Sequence, residues 1–143
     1  MDNFTVFESR IGKVAAGTRE VFTFLTDMRN FKRFLPGDII DNWEATVDEC
    51  SFDVSPVGRS EIKIVRKDPD DTVKYAGHGL NDTEFYLWVQ MKEKKEEDTR
   101  VKLTIKADLK PGMKMIASKP INDFLNKLVK GMEEFDDWGN ITG

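Results

Sequence analysis

The chain has 143 residues, of which 39% are hydrophobic and 34% are charged, and its formal net charge is −4 at pH 7. This composition is typical of one soluble, globular domain and excludes a disordered chain. Lysine and arginine residues are interleaved with acidic residues along the sequence. Because nucleic acid binding depends on clustered cations that meet phosphates, the charge pattern argues against a nucleic acid partner.

Features of the sequence also predict a cytoplasmic protein. No apolar run reaches the roughly 18 residues that a bilayer-spanning helix needs, so no integral membrane segment is expected. Residues Met1 to Phe4 lack the basic start and the apolar core of a signal peptide. The single cysteine, Cys50, cannot form an internal disulfide, which favours a reducing compartment.

The N-terminal part of the sequence predicts a strand and then a helical stretch. Residues Phe4 to Lys13 alternate imperfectly between apolar and polar side chains, as a half-buried strand does. Thr18 is predicted to cap the following helix, because its hydroxyl can accept a hydrogen bond from an amide of the first turn. Helical spacing continues to Leu35, with a bend predicted within Asp27 to Asn30. Pro36-Gly37 is predicted to end this stretch.

From Trp43 onward the hydrophobic period becomes two, and turns recur about every ten residues, which predicts a meander of β-hairpins. The strand from Val101 to Leu109 has the cleanest alternation. The mixed-charge run from Lys92 to Asp98 is typical of a solvent-exposed hairpin tip.

The last segment, from Met113 to Phe135, has apolar residues at spacings of three and four and predicts an amphipathic helix. Pro120 lies within it, and proline in a helix interior removes a hydrogen bond and clashes with the preceding turn. Two interpretations therefore remain open. Either the main helix begins near Ser118 or Lys119, or one longer helix kinks at Pro120.

This order of elements resembles the helix-grip fold, the superfamily of START lipid-transfer domains, the major pollen allergen and the polyketide-cyclase-like SRPBCC proteins. Thr18 to Asp27 (TREVFTFLTD) resembles the family's first helix, and Phe31 to Pro36 resembles its second short helix. The strand from Thr99 to Leu109 and the helix after Pro111 resemble the last strand and the grip helix. The resemblance implies a single α+β domain over residues 1–143, in which a curved antiparallel sheet of about seven strands surrounds a long C-terminal helix.

The resemblance also implies that an apolar ligand, such as a lipid, an isoprenoid or an aromatic polyketide, is enclosed between the sheet and the last helix. Among inward-facing polar residues, Ser9, Arg66 and Tyr75 are the candidates to orient this ligand, and Arg66 would pair with a carboxylate or phosphate. The candidate ligand-binding residues are Ser9, Phe52, Ile64, Arg66, Tyr75, Phe85, Leu87, Val89, Leu103, Ile105, Ile116, Phe124, Leu128 and Met132. The alternative is a filled core, because burying each large apolar side chain contributes about 1.5–3 kcal/mol without any ligand.

Residues with catalytic or metal-binding chemistry are few. His78 is the only histidine and can titrate near neutral pH, but it shares the less apolar face with Lys74 and Ala76, so no catalytic role is predicted. Cys50 shares the inward face with Phe52 and is predicted to be a buried structural thiol. No metal-ligand spacing and no glycine-rich phosphate loop occurs, so neither a metal nor another cofactor is predicted.

The sequence therefore predicts binding or transport of a hydrophobic small molecule, and it leaves two alternatives open. A cyclase or hydratase would need a proton-transfer group inside the pocket. A protein-interaction module would have a collapsed cavity and would use the aromatic residues Tyr86 and Trp88, which lie opposite the predicted inner face. The sequence does not indicate a particular protein partner.

Overall fold

The fold is an antiparallel sheet packed against helices, in a computed structural model that describes residues 4–34, 40–54, 58–79, 83–136 and 138. Within these residues eight strands form one sheet, with the spatial order β1-β8-β7-β6-β5-β4-β3, and β2 also pairs with β8. The strands are β1 Phe4–Glu8, β2 Gly12–Val14, β3 Ile40–Ala45, β4 Glu49–Val54, β5 Gly58–Asp68, β6 Thr72–Gly79, β7 Thr83–Lys95 and β8 Asp98–Asp108. The predicted meander of hairpins is confirmed.

The predicted first strand is interrupted and forms β1 and β2, which both pair with β8. Ser9 lies at the interruption, and its hydroxyl accepts a hydrogen bond from the backbone N–H of Leu103 at 2.9 Å. The same hydroxyl donates to the carbonyl of Arg10 at 2.7 Å. A side chain therefore replaces part of the backbone ladder where the two strands separate.

The helices are α1 Thr18–Leu25, a 3-10 helix Met28–Phe34, and α2 Met113–Glu134. The predicted bend within residues 27–30 is confirmed, since α1 ends at Leu25 and the 3-10 helix begins at Met28. The prediction of Thr18 as N-cap is wrong, because Gly17 holds that position. The carboxylate of Glu93, from the β7–β8 hairpin, instead accepts the N–H of Thr18 at 3.3 Å. The predicted stop at 36–37 lies outside the described residues.

Helix α2 runs continuously through Pro120, so the longer of the two predicted helices is the observed one. Its C-terminal half is held firmly. Gly12 packs so closely on α2 that a Cβ there would lie 2.5 Å from Cγ1 of Val129. Glu133 accepts hydrogen bonds from the Arg10 guanidinium and, at 3.0 Å, from the backbone N–H of Lys13.

The N-terminal half of α2 is much less covered. Met115 and Ile116 are 89% and 66% exposed, and Pro120 is also exposed. In this half only Met113 and Ala117 are partly buried against the core, whereas Ile121 and Leu125 in the following turns are buried. The packing of α2 therefore increases from its start to its end.

Several connections meet at one end of the sheet, which we call the upper end. It is defined by the strand termini that pair there, Ile40 with Val54, Val54 with Gly58, Gly79 with Thr83, and Phe4 with Asp108. Helix α2 begins shortly after β8 ends at this side. The exposed half of α2 thus starts from the upper end of the sheet.

Candidate functional site

The inner face of the sheet, which faces the helices, changes in character along the strands. Its middle row consists of cross-strand neighbours with large side chains, Ile64, Tyr75, Leu87 and Ile105. The next row toward the upper end is Ile62, Gly77, Phe85 and Ala107. The last contains the pairs Phe52–Ser60 and Gly79–Thr83. Side-chain volume on the inner face therefore decreases toward the upper end.

Two glycines of β6 create this gradient. A Cβ at Gly77 would collide with the ring of Phe85, because that ring lies across the glycine backbone. At Gly79 the φ angle is +142°, and a Cβ would lie 2.6 Å from Oγ of Ser60. Each glycine is thus covered by its neighbour on an adjacent strand. We call Phe52, Ser60, Thr83, Phe85 and these glycines the upper wall.

Ser60 is distinctive because its buried hydroxyl is unsatisfied. The residue is 2% exposed, and Oγ has no hydrogen-bond partner among the described residues. The other buried side-chain atom in this condition is Oδ1 of Asn30, whose amide nitrogen donates to the carbonyl of Phe24 at 3.4 Å. An unpaired buried polar group is destabilising, and it marks a place where a partner is accommodated at a gain.

Many of the predicted ligand-binding residues lie deeper, in the packed core. Tyr75, Leu87, Val89, Leu103, Ile105, Leu128 and Met132 are each at most 2% exposed. The hydroxyl of Tyr75 donates to the carbonyl of Leu25 at 2.8 Å and ties β6 to α1. Burial raises the pKa of this hydroxyl above its ordinary value. Phe52 and Phe85 belong to the upper wall, whereas Ile64 and Phe124 are partly buried at the edge of the core.

The inward placement of Arg66 is wrong. A register shift lies between Ile64, which pairs with Tyr75, and Arg66, which pairs with Lys74. This bulge adds a residue to β5 and moves Arg66 to the outer face, since a shift by one residue exchanges the two faces of a strand. The guanidinium side chain is 68% exposed and lies 3.0 Å from the carboxylate of Asp68.

The placement of Ile116 on the covered helix face is also wrong. The partly covered residues in this half of α2 are Met113 and Ala117, and the stripe continues to Ile121 at the same spacing of four. Ile116 lies one residue off this stripe and is 66% exposed. Ser9 is inward, as predicted, but its hydroxyl is already used by the backbone of Leu103 and Arg10.

The predicted positions of His78 and Cys50 are confirmed. His78 is exposed on the outer face, and Cys50 is 4% exposed on the inner face. Burial raises the pKa of the Cys50 thiol to about 12, so the thiol is protonated at neutral pH. Among the described residues, no group of three or more His, Cys, Asp and Glu side chains is arranged to hold a metal ion.

The outer face carries a groove of about 630 Å³ that the sequence interpretation did not predict. Its charged and polar lining consists of outward-facing residues of neighbouring strands, which are Glu44, Glu49, Ser51, Glu61, Lys63, His78 and Glu84. Tyr86 also lines it, and the predicted outer position of Tyr86 and Trp88 is confirmed. The ammonium of Lys74 lies 4.6 Å from the ring centre of Tyr86 and 5.0 Å from that of Trp88.

The sequence interpretation also missed Ser60, Thr83 and the glycines of the upper wall. A signal for them was present, because Ser60 has the same parity as Ile62, and both glycines have the same parity as Tyr75. Inward glycine and serine positions in an otherwise apolar strand mark the part of the inner face that lacks side-chain volume.

A curved antiparallel sheet around a long C-terminal helix defines the helix-grip, SRPBCC-like class of α+β proteins, and this chain has that fold. Within the class, residues 12–134 match the carbon monoxide dehydrogenase CoxG family. The match spans most of the sequence, and the chain belongs to this family.

Solved structures agree with this fold. A norcoclaurine synthase point mutant from Thalictrum flavum, in complex with a transition-state analogue, superposes with a TM-score of 0.68 at 15% identity, covering 89% of this chain and 94% of the other. A conserved protein from Geobacillus kaustophilus gives 0.68 at 14% identity, covering 91% and 93%. A protein from Thermus thermophilus gives 0.65 at 17% identity, covering 91% and 95%. No curated protein matches the sequence significantly.

One further comparison concerns the norcoclaurine synthase bound to dopamine and hydroxybenzaldehyde, with a TM-score of 0.64 at 12% identity, covering 94% of this chain and 91% of that one. At such identities the likeness concerns the fold alone. Within the part of the chain that the structure describes, no helix has the length and apolar character to cross a bilayer.

Proposed function

We propose that this protein binds or transports a hydrophobic small molecule in an internal site between the upper wall and the N-terminal half of α2. The observation that carries the proposal is the loss of side-chain volume on the inner face at the upper end, opposite the least covered part of the helix. Membership of the CoxG family, within a class of ligand-enclosing folds, supports it.

The uneven packing of α2 supports a route into this site. Val129 and Glu133 hold the C-terminal half against β1 and β2, whereas the first turns carry exposed apolar side chains. Pro120 separates the two halves and cannot donate the backbone hydrogen bond that a helix interior needs. Movement of residues 113–119 relative to the rest of α2 would admit a ligand without unfolding the core.

The chemistry of the upper wall favours an apolar, uncharged ligand. None of the described residues that form this wall carries a charge. A charged ligand would therefore lose its hydration without gaining an ion pair, which is strongly unfavourable. An apolar ligand gains about 25 cal/mol for each Å² of apolar surface that it buries.

Native mass spectrometry of the gently purified protein tests this proposal. We expect a discrete bound mass that is released on denaturation. The variant Ala117→Trp, which enlarges the helix side of the site, should lose this mass, and its thermal melting curve would show that it is folded. Ala76→Trp places the same side chain in the outer groove and should keep the mass. Binding that survives in Ala117→Trp but disappears in Ala76→Trp would contradict the internal site.

The outer groove supports a second candidate function, protein interaction. Tyr86 and Trp88 lie beside each other with ring centres 6.0 Å apart, next to a concavity of about 630 Å³. Cross-linking in native extract, with Lys74 and Lys106 as reporter amines, tests this candidate. A specific partner peptide that is lost in Trp88→Ser, but retained in Ala117→Trp, would favour it.

A further inference from the structure

We infer that the hydroxyl of Ser60 is the polar anchor of the internal site, and that it selects an apolar ligand bearing an uncharged hydrogen-bonding oxygen. The inference rests on the proposed ligand-binding function and assigns the residue that would give it specificity. Ser60 was not among the residues that the sequence pattern singled out.

The other well-buried hydroxyls show what is unusual about Ser60. Thr99 donates to the carbonyl of Ala16 at 2.6 Å, and Tyr75 donates to the carbonyl of Leu25 at 2.8 Å. Ser9 both accepts from Leu103 and donates to Arg10. These groups hold the fold together. The hydroxyl of Ser60 is equally buried, yet no described residue receives its proton or donates to it.

The backbone around Ser60 is shaped to accommodate this hydroxyl. Gly79 has a φ angle of +142°, which side-chain-bearing residues rarely adopt. Any Cβ at Gly79 would lie 2.6 Å from Oγ of Ser60 and 2.5 Å from the carbonyl oxygen of Arg59. The absence of a side chain on β6 thus leaves room for the serine hydroxyl at the upper end of the inner face.

The surroundings of Ser60 decide the chemistry of the partner. On the inner face it pairs with Phe52, and its neighbours in the next row are apolar. No described residue of the upper wall offers a cation for a carboxylate or a carboxylate for an amine. A serine hydroxyl can donate to a carbonyl or ether oxygen and can exchange hydrogen bonds with an alcohol. Low polarity around the site strengthens such a bond.

Oγ of Ser60 is covered in this structure, so a ligand must displace neighbouring side chains to reach it. Phe85 is the neighbour suited to move, because its ring rests on Gly77 and not on another side chain of β6. The displaced ring would then line the ligand site. A hydrogen bond from Ser60 would satisfy a group that lacks a partner in the ligand-free protein.

A pair of matched probes tests this assignment. 2-Acetylnaphthalene carries a carbonyl oxygen, and 2-isopropenylnaphthalene has a methylene group of similar shape in its place. Equilibrium dialysis gives the dissociation constant of each probe for the wild type, for Ser60→Ala and for Ser51→Ala. Ser51 is a suitable control because it lies on the outer face of β4, next to Phe52 in the chain.

We expect the wild type and Ser51→Ala to prefer the ketone by about tenfold, the typical effect of one buried hydrogen bond. Ser60→Ala should lose this preference through weaker binding of the ketone, with binding of the alkene unchanged. Because the substitution removes an unsatisfied hydroxyl, ligand-free Ser60→Ala should melt at the same or a higher temperature than the wild type. A purely structural serine would change melting and leave the ratio of the two dissociation constants intact.

The possible failures are distinguishable. An unchanged ketone preference in Ser60→Ala would overturn the assignment of Ser60 and leave the proposed function standing. Equal binding of ketone and alkene by the wild type would likewise overturn it. Failure of the wild type to bind either probe would overturn the proposed function, and this inference with it.

Discussion

Gly79 and Gly58 show how a single residue can be required for different reasons. Both have a positive φ angle, +142° and +97°. A Cβ at Gly79 would meet the backbone and side chain of β5, whereas nothing lies within 4 Å of a Cβ at Gly58. Gly79 is therefore constrained by conformation and by space, and Gly58 by conformation alone.

We predict that Gly79→Ala lowers the free energy of unfolding more than Gly58→Ala does. The strain of a positive φ angle costs on the order of 1 kcal/mol at each position. At Gly79 the clash with β5 adds to this strain, so a total of about 2–4 kcal/mol is expected. Urea denaturation of both variants measures the difference. Equal losses would show that the close contact at Gly79 relaxes without cost.

At the residue scale, sequence parity predicted the inward position of Cys50 and the outward position of Trp88, because both lie in strands without irregularity near them. Parity failed at Arg66, where one extra residue in β5 exchanges the faces. The residue pattern alone carries no signal of that bulge, because Val65 and Arg66 fit either register. Ser60 was missed because it lies just before the first apolar residue of its strand, where the alternating pattern has not yet begun.

At the scale of elements, α2 joins two differently anchored halves. Glu133 accepts two hydrogen bonds from Arg10 and one from the Lys13 backbone, and these contacts hold the pKa of its carboxyl below its ordinary value. No comparable anchor is seen among the described contacts of residues 113–119. The sequence predicted the helix, but it left open whether Pro120 begins it, since proline is tolerated both in a first turn and, at a cost, inside.

We predict that Glu133→Gln lowers the free energy of unfolding by about 1 kcal/mol at pH 7, as expected for a partly exposed ion pair. A carboxyl whose pKa is lowered by folding stabilises the native state above its unfolded pKa. That stabilisation is lost as pH falls below the ordinary value of 4.5 and through the folded value. Unfolding curves at pH 7 and pH 3 should therefore show the two proteins converging in acid. A difference that persists at pH 3 would contradict this.

We predict that Pro120→Ala strengthens the start of α2. Alanine restores the backbone N–H that proline lacks and removes the clash with the preceding turn. Hydrogen exchange of the amides of residues 114–121 should slow, and uptake of a bound ligand should slow with it. Asn126→Ala, an exposed substitution in the better-covered half, is the control and should change neither rate. Faster exchange in Pro120→Ala would contradict the expected strengthening.

At the scale of the whole molecule, stability and the proposed site are separated in space. The middle of the core, around Leu125, Leu128 and Tyr75, is fully buried. The upper wall combines small side chains with glycines, and the first turns of α2 are exposed. The order of elements made this architecture predictable from the sequence. The location of the site along the core was not predictable, because it depends on how strands pair across the sheet.

We predict that Leu128→Ala and Ile116→Ala separate these two regions. Leu128 is fully buried, so its truncation should lower the free energy of unfolding by about 2–5 kcal/mol. Ile116 is largely exposed, so its truncation should change stability by less than about 0.5 kcal/mol. Thermal and urea unfolding provide the measurement. A large loss in Ile116→Ala would show that this side chain is covered in solution.

The pairing of β1 and β2 with β8 has a consequence for synthesis of the chain. Both N-terminal strands find their backbone partners only in β8, which ends at Asp108. During translation they must wait until most of the polypeptide has left the ribosome, while β3 to β7 can already pair with their neighbours in order. The beginning of this protein is therefore among the last parts to become native.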